Sequence, residues 1–198
     1  RHDSGVMIPR VIHQTWKDRD VPVRFLDAQR SWRKVHPDWE YRFWTDEDLA
    51  ALVRERAPEL VPVYEAYPEA IQRVDAARYV ILREFGGVYA DLDLVCLRPI
   101  DGLLDAEVVL PRTTPLGVSN QFMLSVKEHS LFHHVVASLP RAYAKWGRVW
   151  PRHLRVLTTA GPLFLTGRLR EHGTLEGMRI LSLDEHGHGD PEVAYVAH

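Results

Sequence analysis

One cysteine, Cys96, stands in 198 residues, so there is neither a disulfide framework nor a cysteine-ligated zinc site. No apolar run reaches the roughly 18 residues that a membrane helix needs. Charge of one sign is also missing: 25 Lys and Arg face 27 Asp and Glu, for a net charge of −2. That leaves no basic footprint for nucleic acid. Lysine is scarce, with Lys17, Lys34, Lys127 and Lys145 beside an arginine majority, a bias that reads as GC-rich coding, since interspersed acidic residues leave no arginine-rich face. Repeats and low-complexity tracts are absent. What is present is ordinary globular material, 45% hydrophobic and 26% charged. A chain of this size buries about 70% of its unfolded surface, and one domain over residues 1–198 is expected.

Periodicity and turn residues organise the chain. Arg10–Thr15 and Trp39–Trp44 read as strands, with a helix between Pro22 and Pro37. Thr45 followed by Asp46-Glu47-Asp48 is a helix start. A longer helix is expected from Pro68 to Phe85, stopped by Gly86-Gly87. Val88–Leu97 reads as one strand closed by Pro99, and Glu107–Leu110, Gln121–Ser125 and Met178–Leu183 as three more. Ser130–Ala144 and Thr159–Glu171 are expected to be helical, and Asp184–Pro191 a loop. Strands alternating with helices predict an α/β fold with a mostly parallel central sheet flanked by helices.

The chemistry concentrates in Val88-Tyr89-Ala90-Asp91-Leu92-Asp93. In a strand, Tyr89, Asp91 and Asp93 share one face, and the two carboxylates lie about 6.5–7 Å apart. Such a pair repels itself unless a divalent cation sits between, and hard oxygen ligands suit Mg²⁺ or Mn²⁺. Asp18-Arg19-Asp20 and Asp46-Glu47-Asp48 carry the same spacing, but both read as solvated turn or helix-start residues. On the preceding helix, Ile71, Val74, Ile81 and Phe85 form an apolar stripe, and Asp75, Arg78, Tyr79 and Leu82 share the adjacent face. There Asp75 and Arg78 form a local ion pair, or Arg78 offers its fork to phosphate or sugar oxygens. Trp16 ends the run Ile12-His13-Gln14-Thr15-Trp16, where it either stacks on a base or sugar at the carboxyl end of a strand or fills the core. The eleven histidines show no zinc spacing: His133-His134 point to different sides of a helix, and His186-Gly187-His188 reads as a solvated loop.

Taken in order, Ile8-Pro9-Arg10-Val11-Ile12-His13-Gln14-Thr15-Trp16, Val74-Asp75-Ala76-Ala77-Arg78-Tyr79 and Leu82 through Asp93 resemble the signature of glycosyltransferase family 32. These are Asp-x-Asp sugar-transferases, related to initiating and sphingolipid mannosyltransferases. The resemblance is good over residues 8–125 and thins thereafter. It implies a GT-A-type, Rossmann-like fold, a nucleotide-sugar donor linked to GDP or UDP, a Mn²⁺ or Mg²⁺ ion, and transfer with retention to a glycan, lipid or other hydroxyl acceptor. By matched position, Trp16 would stack on the nucleobase, and Asp75 and Arg78 would hold the donor sugar. Asp91 would bind ribose and metal, Asp93 the metal directly, and Asn120 would lie near the transferred sugar. Thr15, Tyr79 and Gly87 complete the expected donor set. The family continues past a late His into a Trp-containing segment, and only His198 can be matched there, as a third metal ligand.

Two other readings stay open on the sequence. Asp91-Leu92-Asp93-Leu94-Val95 fits the nucleophile pattern of haloacid-dehalogenase-like phosphatases, although no Asp-Asp pair follows it. A sugar-nucleotide or glycan-binding domain without turnover is the other. A cytoplasmic or membrane-peripheral bacterial enzyme is favoured, with a lumenal domain cut from its anchor as the alternative, since the chain starts at Arg1.

Overall fold

A computed structural model describes residues 7–147, 151–187 and 192–198. The elements in chain order begin with β1 (Val11–Thr15), α1 (Val23–Val35), β2 (Glu40–Trp44), α2 (Asp46–Arg56) and α3 (Val61–Ala66). Next come α4 (Ala70–Phe85), β3 (Gly87–Ala90), β4 (Val95–Cys96), β5 (Val108–Pro111) and β6 (Phe122–Ser125). Helices α5 (Ser130–Trp146), α6 (Arg152–Thr159) and α7 (Pro162–His172) and strands β7 (Met178–Leu181) and β8 (Val196–Ala197) close the fold.

The central sheet runs β2-β1-β3-β6-β5-β7, and β6 alone opposes the other strands. Alternation along the strands divides the apolar side chains between two faces. Tyr89, Met123, Val108 and Leu110 pack under α2, α4, α5 and α7. Val88, Ala90, Phe122, Leu124 and Val109 pack against Trp32 of α1, Leu94, Leu103 and Tyr195. Local chemistry explains the elements nearest the site. Thr45 caps α2 in a reciprocal box with Asp48, each side chain meeting the other's backbone N–H. α4 stops at Gly86, whose φ of 62° favours glycine. Gly87 has a φ of 87°, and a Cβ there would meet the Val11 carbonyl oxygen at 2.5 Å. The glycine pair therefore lets β3 enter directly beside β1.

One expected strand is divided, and one expected helix starts later. The strand predicted over Val88–Leu97 ends at Ala90, and Asp91–Leu94 form a turn closed by Leu94 N–H to the Asp91 carbonyl, 3.1 Å. Its alternation is that of a strand, but the Asp91 N–H turns to Gln121 O, 2.8 Å, and Trp32 Nε1 donates to Leu94 O, 2.8 Å. The helix predicted over Thr159–Glu171 is α7 and starts three residues later, at Pro162, while a separate helix that the sequence reading missed, α6, ends at Thr159 before the break at Ala160-Gly161. His186, expected to be solvated, is buried and stacks on Phe122 with ring centres 6.0 Å apart. His188, and the expected loop over residues 188–191, lie outside the described residues. His133 and His134 turn to different partners, Glu128 at 2.9 Å and Glu171 at 3.4 Å, as adjacent helical residues must.

Candidate active site

Strands β1, β2 and β3 are parallel, and their carboxyl ends open together onto one cleft. Its volume is about 320 Å³, with Thr15, Trp16 and Lys17 on one wall and Asp91, Leu92 and Asp93 on another. Ile71, Val74 and Arg78 of α4 form a third wall, while Asp46 and Phe25 complete the mouth. The first two residues of the expected apolar stripe on α4 thus face this cleft, and Ile71 is 45% exposed.

At the floor lies Arg78, only 2% exposed. Its Nη2 reaches Asp75 Oδ1 at 3.1 Å and Asp91 Oδ1 at 3.2 Å, while Nη1 donates to Asn120 O at 2.7 Å. The guanidinium also lies 4.6 Å above the ring of Tyr89. The Asp75–Arg78 ion pair is therefore real, yet it is buried and shared with a third residue. Asn120 Nδ2 donates to Asp75 Oδ1, 3.0 Å, and to Tyr79 Oη, 3.1 Å. Tyr79 Oη in turn donates to the carbonyl of Ala160, 2.7 Å, at the α6–α7 break.

Charge follows from this burial. Desolvation pushes the Asp75 carboxyl up to about 7, with Asp91 adding repulsion and Arg78 and Asn120 opposing. The Asp91 carboxyl is also raised by desolvation, against the pull of Arg78 and Tyr89. Burial disfavours the Arg78 cation, but Asp91, Tyr89 and Asp75 outweigh it and hold the guanidinium charged. Two carboxylates thus share one cation, leaving room for further positive charge. The Nε of Arg78 and the Nε1 of Trp16 are buried donors without a partner among the described residues, a cost that an oxygen-rich ligand would remove.

Two relays hold Asp91. Thr15 Oγ1 donates to Tyr89 Oη at 3.1 Å, and Tyr89 donates to Asp91 Oδ1 at 3.0 Å. Behind the turn, Gln29 Nε2 donates to Tyr41 Oη, 3.1 Å, and Tyr41 donates to Gln14 Oε1, 2.8 Å. Gln14 Nε2 then donates to the Asp91 carbonyl, 3.2 Å. Gln14 and Tyr41 escape a sequence search for charged motifs; the one available signal is a glutamine inside an apolar strand, where it must find a partner.

Asp93 is half exposed, and β8, paired with β4, brings His198 Nδ1 to 3.8 Å from its Oδ2. Even so, no three His, Cys, Asp or Glu side chains among the described residues are gathered to hold a metal. The expected ligand trio of Asp91, Asp93 and His198 is thus not a preformed cage. Both bonds to the Asp91 carboxylate fall on Oδ1, so Oδ2 is the oxygen left for a cation. A pair of carboxylates fits an Mg²⁺- or Mn²⁺-like ion that takes its remaining ligands from a diphosphate and water.

Of the expected donor residues, Thr15, Trp16, Arg78, Asp91 and Asp93 line the cleft, and Asp75 and Asn120 bond to Arg78 beneath it. Trp16 is half-buried, edge-on to Phe25 with ring centres 5.3 Å apart, and forms cleft wall rather than core. Two of the expected donor residues stand away from the cleft wall. Tyr79 is fully buried and reaches the site only through Asn120. Gly87 lies at the far end of β3, and its missing Cβ makes room for Val11 rather than for a donor.

Residues 22–110 match the family described as glycosyltransferase sugar-binding region containing DXD motif. The likeness is to glycosyltransferase family 32. The chain is 40% identical over 163 residues to inositol phosphoceramide mannosyltransferase 1 of Schizosaccharomyces pombe, covering 80% of this chain and 50% of that protein. It is 39% identical over 160 residues to mannosyl phosphorylinositol ceramide synthase SUR1 of Saccharomyces cerevisiae, covering 81% of this chain and 41% of that one. The chain therefore spans about half the length, or less, of the curated relatives it matches. Both are yeast proteins and lend no support to a bacterial source. Among solved structures, PaToxG glycosyltransferase superposes with a TM-score of 0.67 at 16% identity, covering 85% of this chain and 71% of that one. The fold is GT-A. No helix among the described residues is long and apolar enough to cross a membrane.

Proposed function

We propose that this chain is a metal-dependent, retaining hexosyltransferase of family 32 that uses a GDP- or UDP-linked donor. Mannose and an inositol-bearing sphingolipid are the sugar and acceptor suggested by the names of the curated relatives, and such an acceptor implies peripheral contact with a membrane. The observation that carries the reading is the cleft in which Asp91 and Asp93 meet Trp16 above a buried Arg78 that two carboxylates share. Asp91 and Asp93 would hold a divalent cation, which when bound supplies positive charge to the departing nucleoside diphosphate. Trp16 offers a flat wall to the nucleobase, and Arg78, Asp75 and Asn120 offer donors and acceptors to sugar hydroxyls. His198, 3.8 Å from Asp93, would join through it. In the transfer, the anomeric carbon loses its bond to the diphosphate oxygen and gains one to the acceptor oxygen. The acceptor proton passes to the departing phosphate. The phosphatase alternative requires a downstream Asp-Asp pair to hold its metal, and none follows residue 95.

The test is release of nucleoside diphosphate from GDP-mannose and from UDP-hexoses with Mn²⁺. Asp93→Asn and chelation should each lower release by at least about 100-fold, with the melting temperature held. Release that survives both would sink the proposal.

A further inference from the structure

The rim of the cleft carries a pair of charged side chains that the proposed chemistry does not use. Lys17 follows Trp16 at the end of β1, and Asp46 opens α2 just past the end of β2. Parallel pairing continues beyond the strands: Trp16 N–H donates to Trp44 O at 3.0 Å, and Asp46 N–H donates to Lys17 O at 3.3 Å. An indole, an ammonium and a carboxylate therefore leave the backbone at neighbouring points of one rim, and all three line the cleft with Phe25.

Asp46 is also unoccupied by local duties. The cap of α2 belongs to Asp48, whose Oδ2 accepts from Thr45 N–H at 2.9 Å and pairs with Arg19 Nη2 at 2.8 Å. The side chain of Asp46 makes no hydrogen bond or ion pair with any described residue; the charges acting on it are Arg73 and Asp18. Lys17 holds only a loose, exposed contact to Asp18, 3.6 Å.

We propose that Asp46, assisted by Lys17, reads the edge of the nucleobase and selects guanine over uracil. The inference rests on the proposed donor site and deepens it. Guanine presents two adjacent donors, N1–H and the 2-amino group, which match the two oxygens of a carboxylate, and an acceptor, O6, which suits an ammonium. Uracil presents a single donor, N3–H, between two carbonyl oxygens. The second carboxylate oxygen would then face a carbonyl with no proton between them, which is unfavourable. Trp16 supplies a face that any base can use, so discrimination falls to the edge.

The experiment measures binding of GDP, UDP and xanthosine diphosphate, each with Mn²⁺, to the wild-type chain and to Asp46→Asn. Xanthine keeps N1–H but replaces the 2-amino group with a carbonyl, which an amide can satisfy and a carboxylate cannot. Wild type should prefer GDP to UDP by at least about ten-fold, the scale of one charge-assisted hydrogen bond. Asp46→Asn should lose GDP by a similar factor and bind xanthosine diphosphate more tightly than GDP, with an unchanged melting temperature, because Asp48 keeps the cap. Equal binding of GDP and UDP by wild type, or an unaltered preference in Asp46→Asn, overturns the inference alone. If no nucleoside diphosphate binds to wild type, the donor-site reading fails and this inference with it.

Discussion

Asp46-Glu47-Asp48 and Asp91-Leu92-Asp93 are spelled alike, and each begins just past the end of a parallel strand on the same cleft. Their supports differ. The carboxylate of Asp48 is engaged by Thr45, three residues away, and by exposed Arg19. Asp91 is fixed by Gln14, Arg78, Tyr89 and Gln121, on β1, α4, β3 and the approach to β6, and its neighbour Leu94 by Trp32. A triplet held by its own turn starts a helix; one held by the whole sheet can be tuned electrostatically. The range of the partners, more than the motif, separates the two.

The contrast is sharpest at Arg78. Arg78→Met leaves Asp75 and Asp91 together without their shared cation and should cost about 3–5 kcal/mol in urea unfolding, the scale for breaking a buried ion pair. A cost no greater than that of an exposed pair would erase the distinction.

A smaller effect is expected from pH. The Asp75 carboxyl is raised from 3.8 to about 7, burial being the largest cause. Between those values the native chain keeps a proton that the unfolded chain has lost, so the contribution of Asp75 to stability falls as pH rises through that window. Asp75→Asn should flatten the slope by up to one proton, read from urea midpoints at about pH 4.5 and about pH 6.5. Parallel slopes in the two proteins would show that Asp75 does not carry the raised pKa.

The smallest change belongs to the other triplet. Asp48→Ala removes the reciprocal box and should cost about 1 kcal/mol, while Mn²⁺-dependent nucleotide binding stays as in wild type. Loss of that binding would mean that the cap of α2 shapes the cleft after all.

What was legible in the sequence had short-range causes. Thr45 with Asp48, the helix ending at Phe85 and the Gly86-Gly87 entry to β3 are decided within a few residues. The cleft residues Trp16, Arg78, Asp91 and Asp93 were legible as an ordered set of motifs. The end of β3 was not, because Val88–Leu97 alternates like a strand and what stops it comes from Gln121, Gln14 and Trp32. Nor was the role of Gln14, which is fully buried and carries no charge to draw notice. The triplet at Asp46 was correctly a helix start, yet its place on the rim depends on the parallel register of β1 and β2. The direction of β6 likewise leaves no mark in its four residues, Phe122 to Ser125.

Most of the bonds that shape the 91–94 turn end on peptide groups: the Asp91 N–H and carbonyl and the Leu94 N–H and carbonyl. The contour of the turn and the charge it presents are therefore separable quantities. On the proposed assignment, a chain carrying Asp93→Asn would be a shape-matched blank, in which the stacking wall, the apolar side of α4 and the buried guanidinium all persist while a ligand to the cation is lost. Beside the wild type, such a blank divides the affinity of a donor into a share contributed by fit and a share contributed by charge, two quantities that binding to the intact site measures only as a sum.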